Sequence, residues 1–275
     1  MEHSFSLLET KTIMETSEPA HQLSALLSCQ IDAMSQDIEW TLANFPFVAE
    51  STALANECDL VCSPTMSVAS YHGLALPKLA FLGESPELLA NYATFLIEPG
   101  SEVTLLVTRE QRDIVEQAFP VLEIIPERQM LFAGALEELE IGNAAPLTTK
   151  HLQAMQALAH LAALRPLAKD PLAPGPAFGV WEGRTLAAMA TTHVNIPSVA
   201  EIGDIAAHPD YSHKSYTEHV IGALIRAHEE EGKRAFIMVD ESNHEAIQRY
   251  EKMGFEHKRL MYRMRCRVEE TAAAN

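Results

Sequence analysis

The last third of the chain carries the pattern that most restricts the fold, because strands and helices alternate there without interruption. The sequence predicts a strand at VAEIGDIAAHP (199–209), a helix from about Tyr216 to Glu230 and a buried strand at RAFIMVD (234–240). A second helix begins after Asn243 as its N-cap residue and ends at Gly254. Apolar residues three and four apart mark the helices, whereas a short continuous apolar run marks the central strand. This order indicates a mixed α/β fold.

The preceding segment supplies the rest of that sheet. AFGVWEG, TLAAMATTHVNIP and VAEIGDIAAHP predict three successive antiparallel strands, with turns at Glu182-Gly183 and near Pro197. APLTTKHLQAMQALAHLAAL predicts an amphipathic helix with a threonine cap. RPLAKDPLAPGPA, rich in proline and glycine, predicts a loop. We also predict a short strand from Leu136 to Ile141.

The N-terminal half repeats this rhythm when it is shifted by about 132 residues. SPELLANYATFLIEPGSE then lies over the helix at 216–230, and VTLLVT lies over AFIMVD. Pro77 falls on Pro209 and Gly83 on Ser215, with no gap from Pro77 to Phe132. The pattern predicts two copies of one fold, in domains of residues 1–135 and 136–275.

The composition restricts the partners. The chain has 275 residues, 20 Lys and Arg against 38 Asp and Glu, and a net charge of −18. Such acidity argues against nucleic acid and anionic membranes as partners. The N-terminus carries no signal-peptide pattern, and no apolar run approaches the length of about 20 residues that a membrane span needs, so we expect a cytoplasmic protein.

Four cysteines give no metal-site pattern. Cys58 and Cys62 form C-x3-C without a second ligand pair, Cys29 lies in an apolar helical pattern and Cys266 lies in the last strand. We expect all four to be small buried apolar residues in a reducing compartment, and we expect no metal.

The second helix of the C-terminal half carries a spaced motif. Asn243, Ala246, Tyr250, Gly254 and Phe255 form the pattern N-x-x-A-x-x-x-Y-x-x-x-G-F. Together with the preceding strand, turn and helix, this pattern resembles the GNAT N-acetyltransferase superfamily. The resemblance implies an α/β (α+β) GNAT fold, with a mixed, splayed central sheet flanked by helices. Only the C-terminal one of the two halves keeps the motif. This arrangement resembles the glycine N-acyltransferase-like branch of the superfamily.

The resemblance also implies a site for acyl-CoA, with acetyl-CoA as the expected co-substrate. Backbone groups of the strand end would hold the pantetheine arm, and the turn and helix N-terminus would hold the pyrophosphate, because outward-pointing N–H groups suit an anion. The residues implied are Ile205, Ala206 and Ala207 for pantetheine, His213, Lys214, Ser215, Tyr216, Thr217 and Glu218 for pyrophosphate, and Asn243 facing the cofactor.

The turn departs from the family signature, which reads Arg or Gln, two residues, Gly, one residue, then Gly or Ala. This chain has Ser212 at the first position and Ser215 and Thr217 at the two small-residue positions. Lys214 keeps one positive charge in the turn. A β-branched threonine narrows the space that glycine leaves for a close backbone approach, so we predict weakened rather than abolished CoA binding.

Two side chains are the candidate catalytic groups. The resemblance implies that Tyr250 protonates the departing thiolate, which suits a phenol, and the alternative is that it only packs against the sheet. Glu201 is the first candidate for the general base, with a surface strand glutamate as the alternative. Asp204, His193 and His208 are weaker candidates, and His208 is most simply a loop residue.

These features leave two hypotheses from different classes. The first is an acyl-CoA-dependent N-acyltransferase that acts on a small-molecule or peptide amine by direct attack in a ternary complex. The alternative is a catalytically impaired pseudoenzyme that binds CoA or another ligand as a regulatory module. A nucleotide-binding doubly wound domain is disfavoured because no phosphate loop follows a first strand. We expect neither nucleic acid nor membrane as a partner, and the sequence leaves a homodimer open.

Overall fold

The fold is described from a computed structural model, which covers residues 12–14, 37–51 and 58–270. By packing, the chain divides into an N-terminal unit, Met1–Ile125 with Met261–Asn275, and a C-terminal unit, Pro126–Leu260. The divisions fall inside the two longest strands, β6 (Val121–Phe132) and β12 (Phe255–Arg267). Each unit is therefore completed by a strand segment from the other half of the sequence. The boundary between residues 135 and 136 stays a prediction.

The N-terminal unit is a mixed sheet in the order β1-β2-β3-β4-β5-β12. Strands β2, β3 and β4 are antiparallel, β5 is parallel to β4, and the end of β12 is antiparallel to β5. Its elements are β1 (Thr12–Met14), α1 (Ile38–Ser51), β2 (Cys58–Cys62), β3 (Met66–Tyr71), β4 (Lys78–Gly83), α2 (Pro86–Leu96), β5 (Glu102–Val107), α3 (Arg109–Ala118) and the start of β6.

The C-terminal unit is a mixed sheet in the order β6-β11-β10-β9-β8-β7. Only β10 and β11 are parallel to each other, and the other neighbours are antiparallel. Its elements are β7 (Ala145–Pro146), α4 (Leu152–Leu161), β8 (Ala177–Glu182), β9 (Thr185–Asn195), β10 (Val199–Ala207), α5 (Tyr216–Glu230), β11 (Arg234–Asp240), α6 (His244–Lys252) and the start of β12. This confirms the predicted mixed sheet.

Helices cover both faces of the C-terminal sheet. On one face α5 and α6 pack with Ile202, Ile237 and Val239 in a buried apolar cluster, and on the other α4 packs with Met189 and Ala206. Burial of one apolar stripe per helix is what the sequence periodicity predicted. The helix ends are also confirmed, since Asn243 caps α6, and Gly232 and Gly254 have positive φ, which glycine adopts without strain.

The predicted strand from Leu136 to Ile141 is wrong. Leu136–Glu138 form a single 3₁₀ turn, in which the Leu139 N–H donates to the Leu136 carbonyl. The Arg226 guanidinium of α5 donates to the carbonyls of Leu136 and Leu139, at 3.2 and 2.9 Å. Because a helix side chain satisfies these carbonyls, the segment does not need a neighbouring strand.

The constant shift of 132 residues is correct for α2 over α5 and for β5 over β11, and it fails for β4. Lys78–Gly83 is a strand, whereas residues 210–215 form the turn before α5, so the pairings of Pro77 with Pro209 and of Gly83 with Ser215 are wrong. The physical reason is a difference in loop length. Two residues join β4 to α2, whereas the eight residues 208–215 join β10 to α5.

Three cysteines behave as predicted. Cys58, Cys62 and Cys266 are free thiols and are buried, and burial raises the pKa of Cys62 and brings that of Cys266 to about 12. Cys29 lies outside the described residues. Among the described helices, none is long and apolar enough to cross a membrane.

A neutral histidine lies inside the C-terminal core. His228 of α5 is fully buried, and its Nε2 lies 3.0 Å from the Thr192 hydroxyl, which donates to the Pro176 carbonyl at 2.7 Å. Since the hydroxyl proton is used by Pro176, Nε2 donates to Thr192. Burial lowers the pKa of His228 to about 4, so the ring is uncharged at neutral pH.

This burial predicts an acid-sensitive core. His228 binds a proton near pH 6.5 in the unfolded chain and only near pH 4 in the folded chain. Its contribution to the free energy of unfolding is therefore complete above pH 6.5 and decreases as the pH falls. We expect the free energy of unfolding in urea to fall by about 2 kcal/mol between about pH 7 and about pH 5 through this group. His228→Gln keeps a donor for Thr192 and removes the titration, so its pH dependence should be smaller by that amount. An unchanged pH dependence would contradict the assignment.

Candidate functional site

Strands β10 and β11 pair at one end and then separate. They are in parallel register from Val199 opposite Arg234 to Ile202 opposite Ile237, and no pair follows. β10 nevertheless continues to Ala207, held only by β9 on its other side. Within the described ranges, the edge of residues 205–207 that faces β11 therefore has no partner strand. Its unpaired backbone groups are available to a ligand that offers amides in return.

Two irregularities in the β9–β10 ladder lie beside this separation. The register shifts once between Glu201 and Ile202 and again between Gly203 and Ala206. Asp204, inside the second shift, has φ of 45°, a conformation that few residues other than glycine adopt and that aspartate tolerates. Bulges of this kind redirect side chains, and strained backbone is frequent at functional sites.

The irregularities bring four polar side chains together. His193 Nε2 lies 3.0 Å from Asp204 Oδ1, and His193 Nδ1 lies 3.7 Å from Glu201 Oε1. The Thr191 hydroxyl donates to Asp204 Oδ2 at 2.8 Å. The Glu201 and Asp204 side chains are only 12% and 17% exposed, whereas His193 is 38% exposed. The imidazole thus covers two carboxylates from the solvent side.

The cluster is arranged as a cation between two anions. Burial lowers the pKa of His193, but hydrogen bonds to Asp204 and Glu201 outweigh burial and raise it to about 9. Burial raises the pKa of Asp204, and its hydrogen bonds to His193 and Thr191, helped by the charge of Arg165, bring the pKa below its ordinary value. At neutral pH the ring is therefore charged and Asp204 is ionised.

The turn before α5 is held by contacts among Lys214, Tyr216 and Glu182. Lys214 Nζ lies 2.7 Å from Glu182 Oε1 at the β8–β9 turn, and 5.3 and 5.0 Å from the ring centres of Tyr211 and Tyr216. The Tyr216 hydroxyl also donates to Glu182. The Glu182 hydrogen bond raises the pKa of Lys214, and the Lys214 hydrogen bond lowers that of Glu182. The positive charge of the turn is thus already paired.

The N-terminus of α5 presents free backbone donors. Among the described residues, no acceptor pairs with the backbone N–H groups of Tyr216, Thr217 and Glu218, as is usual in the first turn of a helix. Ser215 makes no side-chain cap. The buried Thr217 hydroxyl donates to Glu218 Oε2 at 2.8 Å. The donors suit an anion, although the Glu218 carboxylate is itself an anion in this first turn.

Tyr250 and Asn243 lie on α6 as predicted. Tyr250 is 7% exposed, its ring centre lies 5.9 Å from that of Phe255, and burial raises its pKa to about 12, with Arg249 lowering it and Glu218 raising it. The phenol is therefore protonated at neutral pH. Asn243 Oδ1 accepts from the Ala246 N–H at 3.1 Å, which is the predicted N-cap. The catalytic and cofactor-facing roles stay predictions.

The structure separates the weaker base candidates. His193 and Asp204 contact each other, and His193 contacts Glu201. His208 instead accepts from the Asp210 N–H at 3.2 Å and packs on Tyr211, as a loop residue does. The sequence contained a partial signal for the cluster, because a hairpin turn near Pro197 brings the strand around position 193 alongside that around 201. In the structure Glu201 is opposite Val194, and the register shift after Glu201 leaves His193 between two pairs. No sequence pattern indicated Glu182, which lies 32 residues from Lys214.

The described residues of the N-terminal unit include no counterpart of these groups. Its α2 follows β4 after two residues, with Ser85 as N-cap and Pro86, which has no N–H, at the first position. The cap of α3 is Thr108, so the cap residues of the equivalent helices differ by 135 positions rather than 132. A shift of 132 predicts that Gln111, Ala118 and Glu123 match Asn243, Tyr250 and Phe255, and these matches are therefore off by three residues. Seven residues after Thr108, Val115 stands buried where Tyr250 stands in α6.

Comparison with known proteins agrees with this architecture. Residues 148–255 match the model of the acetyltransferase (GNAT) family. No curated protein matches the chain in sequence. A GNAT-family protein from Novosphingobium aromaticivorans is 22% identical over 76% of this chain and 91% of its own, with a TM-score of 0.62. A GCN5-related N-acetyltransferase from Kribbella flavida is 12% identical over 81% and 95%, with a TM-score of 0.58.

A tandem protein is among the similar structures. A tandem GNAT protein from the clavulanic acid biosynthesis pathway is 10% identical over 88% of this chain and 97% of its own, with a TM-score of 0.57. At these identities the likeness is one of fold. The described chain has a mixed α/β GNAT fold, and a protein with two GNAT copies covers most of it.

Proposed function

We propose that the C-terminal unit is an acyl-CoA-dependent N-acyltransferase, with acetyl-CoA as the donor and a small-molecule or peptide amine as the acceptor. The observation that carries the proposal is the separation of β10 from β11 after Ile202, with the free N–H groups of the α5 N-terminus at the end of the same strand and turn. An unpaired strand edge suits an arm with amides, and a helix N-terminus suits a pyrophosphate.

In this proposal the backbone holds the donor. The free edge of Ile205, Ala206 and Ala207 binds the pantetheine arm, and the turn and first helical residues, His213 to Glu218, bind the pyrophosphate. Asn243 fixes the start of α6 and thereby the position of Tyr250 two turns along the same face. The match of residues 148–255 to the GNAT family supports the assignment, because it includes all of these positions.

Glu201 and Tyr250 divide the proton transfers. The amine nitrogen attacks the thioester carbonyl carbon, a C–N bond forms, and Glu201 accepts the proton that the nitrogen loses. The C–S bond then breaks, and the departing sulfur takes the proton of the Tyr250 hydroxyl, which later regains one from solvent. The raised pKa of Tyr250 keeps that proton in place at neutral pH. The Glu201 side chain is 12% exposed, so a small part of it remains accessible.

We place the chain with tandem GNAT proteins of the glycine N-acyltransferase-like type, in which the C-terminal copy carries the reaction. The short β4–α2 connection and Val115 at the position of Tyr250 support a structural role for the N-terminal copy.

One observation favours a second candidate, a CoA- or ligand-binding module without turnover. Glu182 neutralises Lys214, and Glu218 places a carboxylate in the first turn of α5, where the pyrophosphate would bind. Both carboxylates oppose the binding of an anion, and Arg249 Nε, 3.6 Å from Glu218 Oε1, offsets part of the second charge. The two candidates share the site and differ in whether it turns over.

Binding and turnover are tested together on the full chain. We expect millimolar acetyl-CoA to raise the melting temperature by linkage and a panel of primary amines to release free thiol. Tyr250→Phe should keep the temperature shift and lower kcat by about 100-fold, since it removes only the hydroxyl. Tyr262→Phe, in the N-terminal unit, is the matched control. Absence of a temperature shift would rule out the acyltransferase and a module that binds CoA, and a shift without thiol release would favour the second candidate.

The paired turn gives a separate prediction. Glu182→Gln removes the carboxylate that engages Lys214 and leaves the ammonium for phosphate, so we expect the dissociation constant of CoA to fall by about two- to five-fold at low salt. The gain should disappear at high salt because it is electrostatic. Glu116→Gln, which removes a surface ion pair with Arg112, is the control. Weaker CoA binding in Glu182→Gln would mean that the ion pair is needed to shape the turn.

A further inference from the structure

The ring of His193 occupies a place that the backbone keeps open for it. A Cβ atom on Gly203 would lie 2.2 Å from His193 Nδ1 and Cε1, much closer than any allowed contact. Gly203 has no positive φ, so its conformation does not require glycine. Residue 203 must be glycine only because the His193 ring occupies the place that a Cβ atom would take.

The ring is also held at both nitrogens. Thr191 fixes Asp204 through Oδ2, Asp204 holds Nε2 through Oδ1, and Nδ1 faces Glu201 Oε1. These contacts form one chain from Thr191 through Asp204 and His193 to Glu201, across two strands whose register shifts at these residues. Groups that orient a catalytic base are arranged in this way, with each partner fixed by the next.

We propose that His193 is a positioning residue, which holds the Glu201 carboxylate in the orientation that accepts the proton of the amine. The inference rests on the proposed acyltransferase function. A glutamate side chain has three rotatable bonds, and ordering it has an entropic cost that a fixed partner reduces. His193 keeps its own proton throughout the reaction, and Glu201 passes the proton of the amine to solvent after the product leaves.

The charge of the ring is part of this role. The charged groups that act on His193 are Glu201 and Asp204 of β10, and Arg165, from the loop after α4, acts on Asp204. An imidazolium carries an N–H at both nitrogens and attracts both carboxylates, whereas a neutral ring keeps one N–H, which the closer Asp204 holds at Nε2, and turns a lone pair toward Glu201. Because the pKa of His193 is raised from 6.5 to about 9, the contact is present at neutral pH and is lost as the pH rises through about 9.

The first test is independent of activity. The ring of His193 is titrated by NMR in the full chain, with His193→Gln to assign its signal. We expect a pKa near 9 in the wild type and a decrease of at least about one unit in Asp204→Asn and in Glu201→Gln. A ring that titrates near 6.5 and does not respond to either variant would overturn the inference, whatever the activity of the protein.

The second test uses kinetics. We expect His193→Gln to lower kcat by about 10- to 100-fold, with the KM for acetyl-CoA unchanged, because a displaced base slows the reaction without weakening donor binding. The amine ionises in the same way in both assays, so its ionisation cancels in the ratio of wild-type to His193→Gln activity. This ratio should be constant below about pH 8 and fall toward one above about pH 9. His160→Gln, an exposed histidine of α4, is the control.

A double-mutant cycle separates the ring from the fold. Gly203→Ala should displace the imidazole and reduce kcat as much as His193→Ala does, and it should have little further effect when His193 is already alanine. If Gly203→Ala prevents folding, the kinetics of His193→Gln and the NMR titration in Asp204→Asn still test the positioning role.

Different results would overturn the positioning role of His193 and the acyltransferase function. Full activity in His193→Gln at every pH would overturn the positioning role and leave the acyltransferase proposal intact. Absence of any turnover in the wild type would remove the acyltransferase proposal and this inference with it.

Discussion

After Ile202, β10 no longer pairs with β11, and the rest of the C-terminal unit depends on this loss of strand pairing. Parallel strands ordinarily satisfy each other's backbone groups along their length, and here the pairing stops after four residue pairs while β10 continues. Unpaired backbone N–H and C=O groups destabilise the fold unless water or a ligand forms hydrogen bonds with them. The separated edge is the surface at which we propose that the donor binds, and the neighbouring bulges bring Glu201, Asp204 and His193 together.

The two copies of the fold show what the site requires beyond the sheet. In both, a helix connects two parallel strands, but eight residues precede α5 and only two precede α2. The longer connection leaves the α5 donors free, whereas Ser85 caps the Leu88 N–H of α2 and Pro86 offers no N–H. A phenol on α6 is replaced by Val115 on α3. The same framework thus carries a polar site in one copy and a packed core in the other.

Much of this architecture could be predicted from the sequence. The periodicity of α5, the apolar run of β11 and the Asn243 cap gave the correct elements, because each depends on neighbouring residues and on burial. The failures have a different origin. The segment 136–141 is fixed by Arg226, about 90 residues away, and the repeat shifted because a loop in one copy is six residues shorter than in the other.

The site was only partly predictable for the same reason. Tyr250, Asn243 and Glu201 follow from local spacing and from a family resemblance. The contact of His193 with Asp204 depends on two register shifts, and the pairing of Lys214 with Glu182 depends on how the turn lies against the β8–β9 hairpin. Contacts of this kind are set by tertiary geometry, which periodicity does not describe. They nevertheless decide the charge at the site.

Hydrogen exchange of the full chain with and without acetyl-CoA tests the central claim most directly. The account predicts slower exchange of the backbone amides in two segments, residues 205–207 and 216–218, because the ligand would pair with the free strand edge and with the helix N-terminus. The equivalent segments of the N-terminal unit, around Gly83 and Leu88, should not change. Slower exchange at the N-terminal segments alone, or no change at either pair at saturating acetyl-CoA, would contradict the account.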